Sequence, residues 1–287
     1  RTMQQGEPAR NAPRLLFVAD SAPRSLLIAD TTGRIAAPSL GSNASRFAHA
    51  LSNQDFSLWF GTLPSPAPKL LSKRGVRDRV HAVAPFFVQG SMISPIWYGD
   101  SLVWAVELYS SSQTYPLSRR AAVNGVSYAY FQHAATALVN ATTGRLALVV
   151  DSLADPMART WMERFPRLFT RAGALPAQLR RQLPPDHDGA RAQAIAFGRY
   201  GMRGETDVAR HLPDDEGPDS ALAGTPPPLI GFPKLGATGH VLPLLDRSER
   251  LRGLFIALGG SSHRSVCLPA REPALLWNEV LDRLRAT

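Results

Sequence analysis

Pro95-Ile-Trp-Tyr-Gly-Asp-Ser-Leu-Val-Trp-Ala-Val-Glu-Leu108 is two apolar runs hinged on Gly99-Asp100. The second run alternates, with Val103, Ala105 and Glu107 on one side and Leu102, Trp104, Val106 and Leu108 on the other. A period of two with a Gly-Asp step at its start predicts a β-hairpin. A second hairpin follows downstream. Thr136-Ala-Leu-Val-Asn140 and Leu146-Ala-Leu-Val-Val150 flank Thr142-Thr-Gly-Arg145, in which the glycine is free to take positive φ. The same tetrapeptide stands at 31–34, which we read as a recurring Thr/Gly turn and not as a duplication.

Working outward, Leu15-Leu-Phe-Val-Ala19, Ser25-Leu-Leu-Ile-Ala29 and Leu251-Arg-Gly-Leu-Phe-Ile-Ala-Leu258 read as strands, the last ended by Gly259-Gly260. Arg79 to Ala84 fits a strand or a helix end, and Gly125 to Ala137 is read as a helix. Asp155-Pro156 forms an N-cap and first-turn pair, after which Met157, Trp161, Met162 and Phe165 recur at helical spacing until Pro166. Leu175 to Leu183 is a second short helix, and Pro273 starts a last one carrying Leu276, Val280 and Leu284. Hairpins without regular βαβ alternation predict an α+β fold, with a mixed or mainly antiparallel sheet and helices packed on one side. The expected core includes Trp104, Val106, Trp161, Phe165, Leu276 and Val280.

Between Leu212 and Leu245 the texture changes to seven prolines, including Pro226, Pro227 and Pro228, and five glycines. That composition predicts an extended, irregular segment. The expected organisation is therefore an α+β domain over 1–212, a Pro/Gly-rich segment over 213–245, and a strand and helix over 246–287 that return to the same domain.

Composition sets outer limits. Of 287 residues, 44% are hydrophobic, enough for a substantial core and incompatible with wholesale disorder. No run approaches the ~20 apolar residues of a membrane-spanning helix. A single cysteine, Cys267, excludes an internal disulfide framework, and reads as a small buried apolar residue. The net charge is +9, and all of the cations except Lys69, Lys73 and Lys234 are arginines. Arginine suits planar pairing with carboxylates and phosphates. Arg159, Arg164, Arg167, Arg171, Arg180 and Arg181 gather on two helices without a DNA- or RNA-binding motif, so no nucleic-acid partner is expected. The polar opening from Arg1 to Arg10 has no signal-peptide core and reads as the interior of a longer chain.

Motifs for chemistry are weak. Gly259-Gly-Ser-Ser-His263 lacks the second glycine of a nucleophile elbow and reads as a polar turn. Asp186-His-Asp188 and His211 with Asp214-Asp-Glu216 lack metal-site spacing, and Asp188 is expected to cap a helix starting near Ala190. Gly198, Gly201 and Gly204 match no phosphate loop and are read as a helix break. No cofactor is expected, and no catalytic motif stands out. Glu107, Asp151 and Asp155 fall near strand ends and are the residues able to supply paired carboxylates.

Three longer strings carry a resemblance. They are Gly75-Val-Arg-Asp-Arg-Val-His-Ala-Val-Ala-Pro-Phe-Phe87, then Trp104-Ala-Val-Glu-Leu-Tyr-Ser-Ser-Ser-Gln-Thr-Tyr-Pro-Leu-Ser118, then Asp155-Pro156 with Thr160-Trp161, Phe165-Pro166 and Leu168-Phe169, followed by Pro176 and Leu179-Arg180. In this order, from about Ser39 to Cys267, the chain resembles the extracytoplasmic region of uncharacterised protein family 0182. These are large bacterial proteins with a bundle of spanning helices and a long soluble part. Departures from the family pattern are Glu107 in place of an aspartate, Asn140-Ala-Thr142 in place of aromatic and acidic residues, and a rewritten stretch after Gly201. The resemblance implies an extracytoplasmic (periplasmic) domain and no assigned activity. We therefore expect a non-catalytic structural or interaction subunit of a bacterial membrane protein complex, photosynthetic or respiratory complexes being hosts of that kind. The expected contacts are Arg164, Arg167 and Arg171 with Pro226, Pro227 and Pro228, besides peripheral contact with anionic lipid headgroups. The alternative is an enzyme or ligand-binding domain acting on envelope polysaccharide or lipid.

Overall fold

A computed structural model describes residues 16–19, 26–28, 33–63, 67–115, 120–123, 125–200, 229–232, 237–246, 248, 250–260, 264–270 and 275–285. The chain is α+β and divides into two compact units. One comprises residues 1–85, 97–104 and 138–147; the other comprises 86–96, 105–137 and 148–287.

The first unit holds β1 (Leu26–Ile28), α1 (Asn43–Ser52), α2 (Ser57–Phe60), β2 (Lys69–Leu71) and α3 (Val76–Val83). β1 and β2 pair antiparallel. Arg79 to Ala84, left between strand and helix by the sequence, lies in α3 and its C-cap. Leu40, Ala50, Leu58 and Leu70 make a core against which Trp59 and Leu63 pack. Phe17 is fully buried, and Arg79 lies over its ring at 4.6 Å. The Arg79 guanidinium donates to the carbonyls of Gly144 (2.6 Å) and Ala36 (2.7 Å). Gly144 has φ +68° and backs onto the Phe17 ring, where any side chain would collide.

The long strands are β3 (Val88–Tyr98), β4 (Ser101–Ser112), β7 (Tyr130–Asn140) and β8 (Leu146–Val150), after a short β5 (Ala121–Val123) and β6 (Val126–Tyr128) ribbon. With β9 (Phe169–Arg171) they form a sheet ordered β3-β4-β7-β8-β9, mixed because β8 and β9 run parallel. Both expected hairpins are present, with Gly99 at φ +58° in the first turn. In the second, Asn140 Oδ1 accepts the amides of Thr142 (3.0 Å) and Thr143 (2.7 Å), which makes Asn140 the turn's own cap. The expected helix over Gly125 to Ala137 is corrected to strands β6 and β7. His133 through Val139 are buried on both faces of the sheet, so the period of two is hidden in a continuous apolar run.

The second unit continues with α4 (Pro156–Arg164), a 3-10 turn over Ala172–Ala174, α5 (Ala177–Arg181) and α6 (His187–Tyr200). Asp155 caps α4 with Pro156 at its first turn, as the sequence predicts. α6 runs through Gly198, where a break is expected. A second sheet is antiparallel, ordered β10-β11-β12-β13: β10 (Leu229–Phe232), β11 (Ala237–Leu245), β12 (Leu251–Leu258) and β13 (Arg264–Pro269). α6 packs on it through Ala190, Ala194 and Ile195 against Leu242, Leu244, Phe255 and Ala257, with Cys267 alongside. The described part of 213–245 is thus regular strand, not irregular chain. Pro243 of β11 lies opposite Leu254 of β12, and among the described residues β10 reaches β11 only up to His240, so Pro243 needs no ladder donor toward β10 there. The last helix is α7 (Trp277–Arg285).

Among the expected core residues, Val106 is fully buried, while Trp104, Trp161 and Val280 are half-buried. Phe165 (39% exposed) and Leu276 (38%) are corrections. Phe165 is the C-cap of α4 and covers one ring face only, stacked over Phe86 and Trp161. Leu276 precedes α7 and bridges to Arg250, so it lies off the helical stripe.

Candidate functional site

Neighbouring strands bring Glu107 (β4), His133 (β7) and Asp151 (just past β8) into one buried line. His133 Nδ1 meets Asp151 Oδ2 at 2.7 Å, and its Nε2 is in short contact with Glu107 Oε2. The Thr136 hydroxyl donates to Glu107 (3.1 Å), and Asp151 Oδ1 accepts the Leu153 amide (2.9 Å). Burial alone would lower the imidazole pKa. The Glu107 charge, hydrogen bonds to Asp151 and Glu107, and the Asp186 charge outweigh it and push it up to about 10. His133 is therefore an imidazolium at neutral pH, shared by two carboxylates. The paired carboxylates expected for acid–base work face the same ring.

Two further carboxylates are held as firmly. Asp155 accepts from Ala158 N–H (2.9 Å), Ser110 O–H (2.9 Å) and Tyr130 O–H (2.7 Å). Asp186 accepts from Tyr109 O–H (2.5 Å) and Gly189 N–H (2.9 Å). Burial, then the charges of Asp186, Asp188 and Glu107 and the bond to Asp186, hold the Tyr109 phenol well above its usual range. Asp188 does not cap α6 as expected. Asp186 does, and Asp188 instead accepts from Ser91 N–H (2.6 Å) and O–H (2.7 Å). Gly90 permits this approach, since a Cβ there would lie 3.1 Å from the Tyr109 ring and 3.3 Å from Asp188.

Asp151 also borders a pocket of about 480 Å³ whose lining includes Val150, Arg159, Met162, Arg171 and Ala172. Arg159 is oriented there by its Nε–H, which donates to the Ala154 carbonyl at 2.8 Å. Glu107 is not part of the lining.

In the first unit, α1 is inverted. Its apolar stripe, Ala44, Phe47, Ala48 and Leu51, is exposed, while Ser45, Arg46 and His49 are half-buried beside the buried Ala50. Phe47 is 50% and Leu51 59% exposed, and Phe56 and Phe60 of the adjoining α2 region are 53% and 81% exposed. Arg46 pins this arrangement by donating to the carbonyls of Leu58 (3.2 Å), Trp59 (2.9 Å) and Gly61 (2.6 Å). Phe47 packs edge-on against Trp59 at 5.4 Å. Helical periodicity gives the stripe but not its direction, and sequence reading missed it.

Of the expected contact residues, Arg164, Arg167 and Arg171 are exposed. Arg171 belongs to β9 and to the pocket, away from the α4 terminus that carries Arg164. Pro226, Pro227 and Pro228 lie outside the described residues, as do Ser261 to His263. His133 was not singled out by the sequence; a lone histidine in an apolar strand is the signal that was there.

Residues 31–208 match the profile of Uncharacterised protein family (UPF0182), well over half of the chain. The chain belongs to this family. The match starts near the expected Ser39 and stops short of Cys267. A UPF0182 protein of Synechococcus sp. (strain JA-3-3Ab) is 26% identical over 171 residues, 60% of this chain and 20% of the relative. One of Parasynechococcus marenigrum (strain WH8102) is 37% identical over 142 residues, 46% of this chain and 16% of the relative. One of Mycobacterium leprae (strain TN) is 25% identical over 177 residues, 56% of this chain and 18% of the relative. The chain thus spans a fifth or less of the length of these UPF0182 relatives. No solved structure matches it.

Proposed function

We propose that this UPF0182 chain is a non-catalytic interaction subunit working on the extracytoplasmic face of a bacterial membrane protein complex, docking a protein partner through α1 and α2. The observation that carries the reading is the inverted helix. A helix that turns Phe47 and Leu51 to water, and spends three Arg46 hydrogen bonds to stay so, leaves apolar area exposed at a cost. Fully burying a phenylalanine returns about 1.5–3 kcal/mol, so covering Phe60 and its neighbours offsets that cost. Exposed aromatic anchors of this sort are what interface hot spots are made of. The extracytoplasmic side rests on the resemblance to the family's soluble region. Arg164 and Arg167, exposed and without a carboxylate partner among the described residues, supply a second contact suited to acidic groups on the complex.

The test is site-specific photocrosslinking in native membranes. A photoreactive residue at Phe60 is expected to join the chain to one membrane-complex subunit, and the same residue at exposed Arg264 to none. Adducts from position 60 to lipid alone, or no adducts, would overturn the reading.

A further inference from the structure

We propose that the pocket bordered by α4, β9 and the end of β8 is a phosphate-binding site clamped by Arg159 and Arg171. Two arginines on separate elements, Arg159 of α4 and Arg171 of β9, line one cavity of about 480 Å³. Neither has a carboxylate within ion-pair distance among the described residues. Arg159 is held by its Nε–H on the Ala154 carbonyl, which leaves its two terminal amino groups to a ligand. Asp151, the carboxylate of the lining, makes its ion pair with His133 and not with either arginine. One of its oxygens meets His133, and the other accepts the Leu153 amide and the Ser152 hydroxyl at 3.5 Å. The imidazolium behind it offsets part of its charge.

The chemistry selects phosphate over carboxylate. Each guanidinium offers a fork of parallel N–H donors. One carboxylate has two oxygens and fills one fork. A phosphate group has enough oxygens to fill two forks from different directions. Val150, Met162 and Ala172 add apolar wall beside the two exposed arginines, which suits a phosphate carried on a small organic body. Filling both forks takes the three terminal oxygens of a phosphomonoester, carried either on a soluble body or on a phosphatidic acid headgroup, and the two share the clamp.

Binding of inorganic phosphate to the intact chain, read by titration calorimetry and by amide shifts at Ala172 and Gly173, tests the site directly. Flotation with phosphatidylcholine vesicles, with and without phosphatidic acid, tests the lipid source. Saturable phosphate binding that falls at least tenfold in Arg159→Gln and in Arg171→Gln, and holds in the exposed control Arg264→Gln, supports the clamp. Vesicle binding that depends on phosphatidic acid and fails in the same two variants supports it with a lipid as the source. Phosphate binding without vesicle binding supports it with a soluble source. Should a variant misfold, saturable phosphate shifts at Ala172 and Gly173 in the unaltered chain support the site, and their absence overturns it. No saturable binding in either arm, or binding that Arg159→Gln and Arg171→Gln leave unchanged, overturns the proposal.

Discussion

Replacing His133 by leucine leaves Glu107 and Asp151 buried without the cation they share, at 5% and 7% exposure. At an effective dielectric of about 20, unit charges ~4 Å apart attract by about 4 kcal/mol before desolvation. Removing one partner of a buried ion pair typically costs about 3–5 kcal/mol, and here two carboxylates lose the same partner. Loss of about 3–5 kcal/mol is therefore expected for His133→Leu, a large share of the ~5–15 kcal/mol that holds most domains folded. His133→Gln keeps an N–H for one carboxylate and should recover part of it. The effect has a pH signature. The imidazole titrates at about 10 in the folded protein, against ~6.5 in an unfolded chain. Below ~6.5 both states hold the proton and its stabilisation is complete. As pH rises toward 10 the folded protein keeps a proton that the unfolded chain has released, so stability falls by up to about 1.4 kcal/mol per unit. Urea unfolding across that window should show the wild-type advantage over His133→Leu shrinking as pH rises. An advantage that is absent at pH 6.5, or constant up to pH 10, would refute the ion triple.

Gly90→Ala should destabilise by about 1–3 kcal/mol, because the new Cβ meets the Tyr109 ring at 3.1 Å and Glu107 Cβ at 3.3 Å; thermal unfolding checks this. Asp155→Ala removes the α4 cap and strands the buried Ser110 hydroxyl, while the Tyr130 hydroxyl keeps Gln132 Oε1 at 3.1 Å; a loss of about 1–3 kcal/mol and faster amide exchange at Ala158 are expected. Arg46→Met deletes three charge-assisted bonds to backbone carbonyls, so amides of α2 should exchange faster while those of β12 stay protected.

The sequence made the turns legible because turn chemistry is local. Gly99, Gly144 and the Asp155-Pro156 cap each act within a few residues, and each stands where expected. Burial on both faces defeated the reading of β7, since a strand apolar throughout offers no period. The Glu107–His133–Asp151 line joins residues from three strands, and only the sheet order places them side by side. Asp188 is the cap expected for α6, yet Asp186 takes that place, because Asp188 is engaged by Ser91, far off in the chain. The apolar stripe of α1 was not singled out in the sequence. Its outward direction depends on Arg46 finding carbonyls in α2.

The central claim is that the α1–α2 face docks a protein of a membrane complex. Its most direct test is stoichiometry of co-purification from native membranes, comparing the unaltered chain with Phe47→Asp/Phe60→Asp. Both side chains are at least half exposed, so the variant should unfold with an unchanged midpoint. The account predicts a fixed-ratio partner with the unaltered chain and at least a tenfold loss with the variant. Equal recovery of that partner by a folded variant would contradict it.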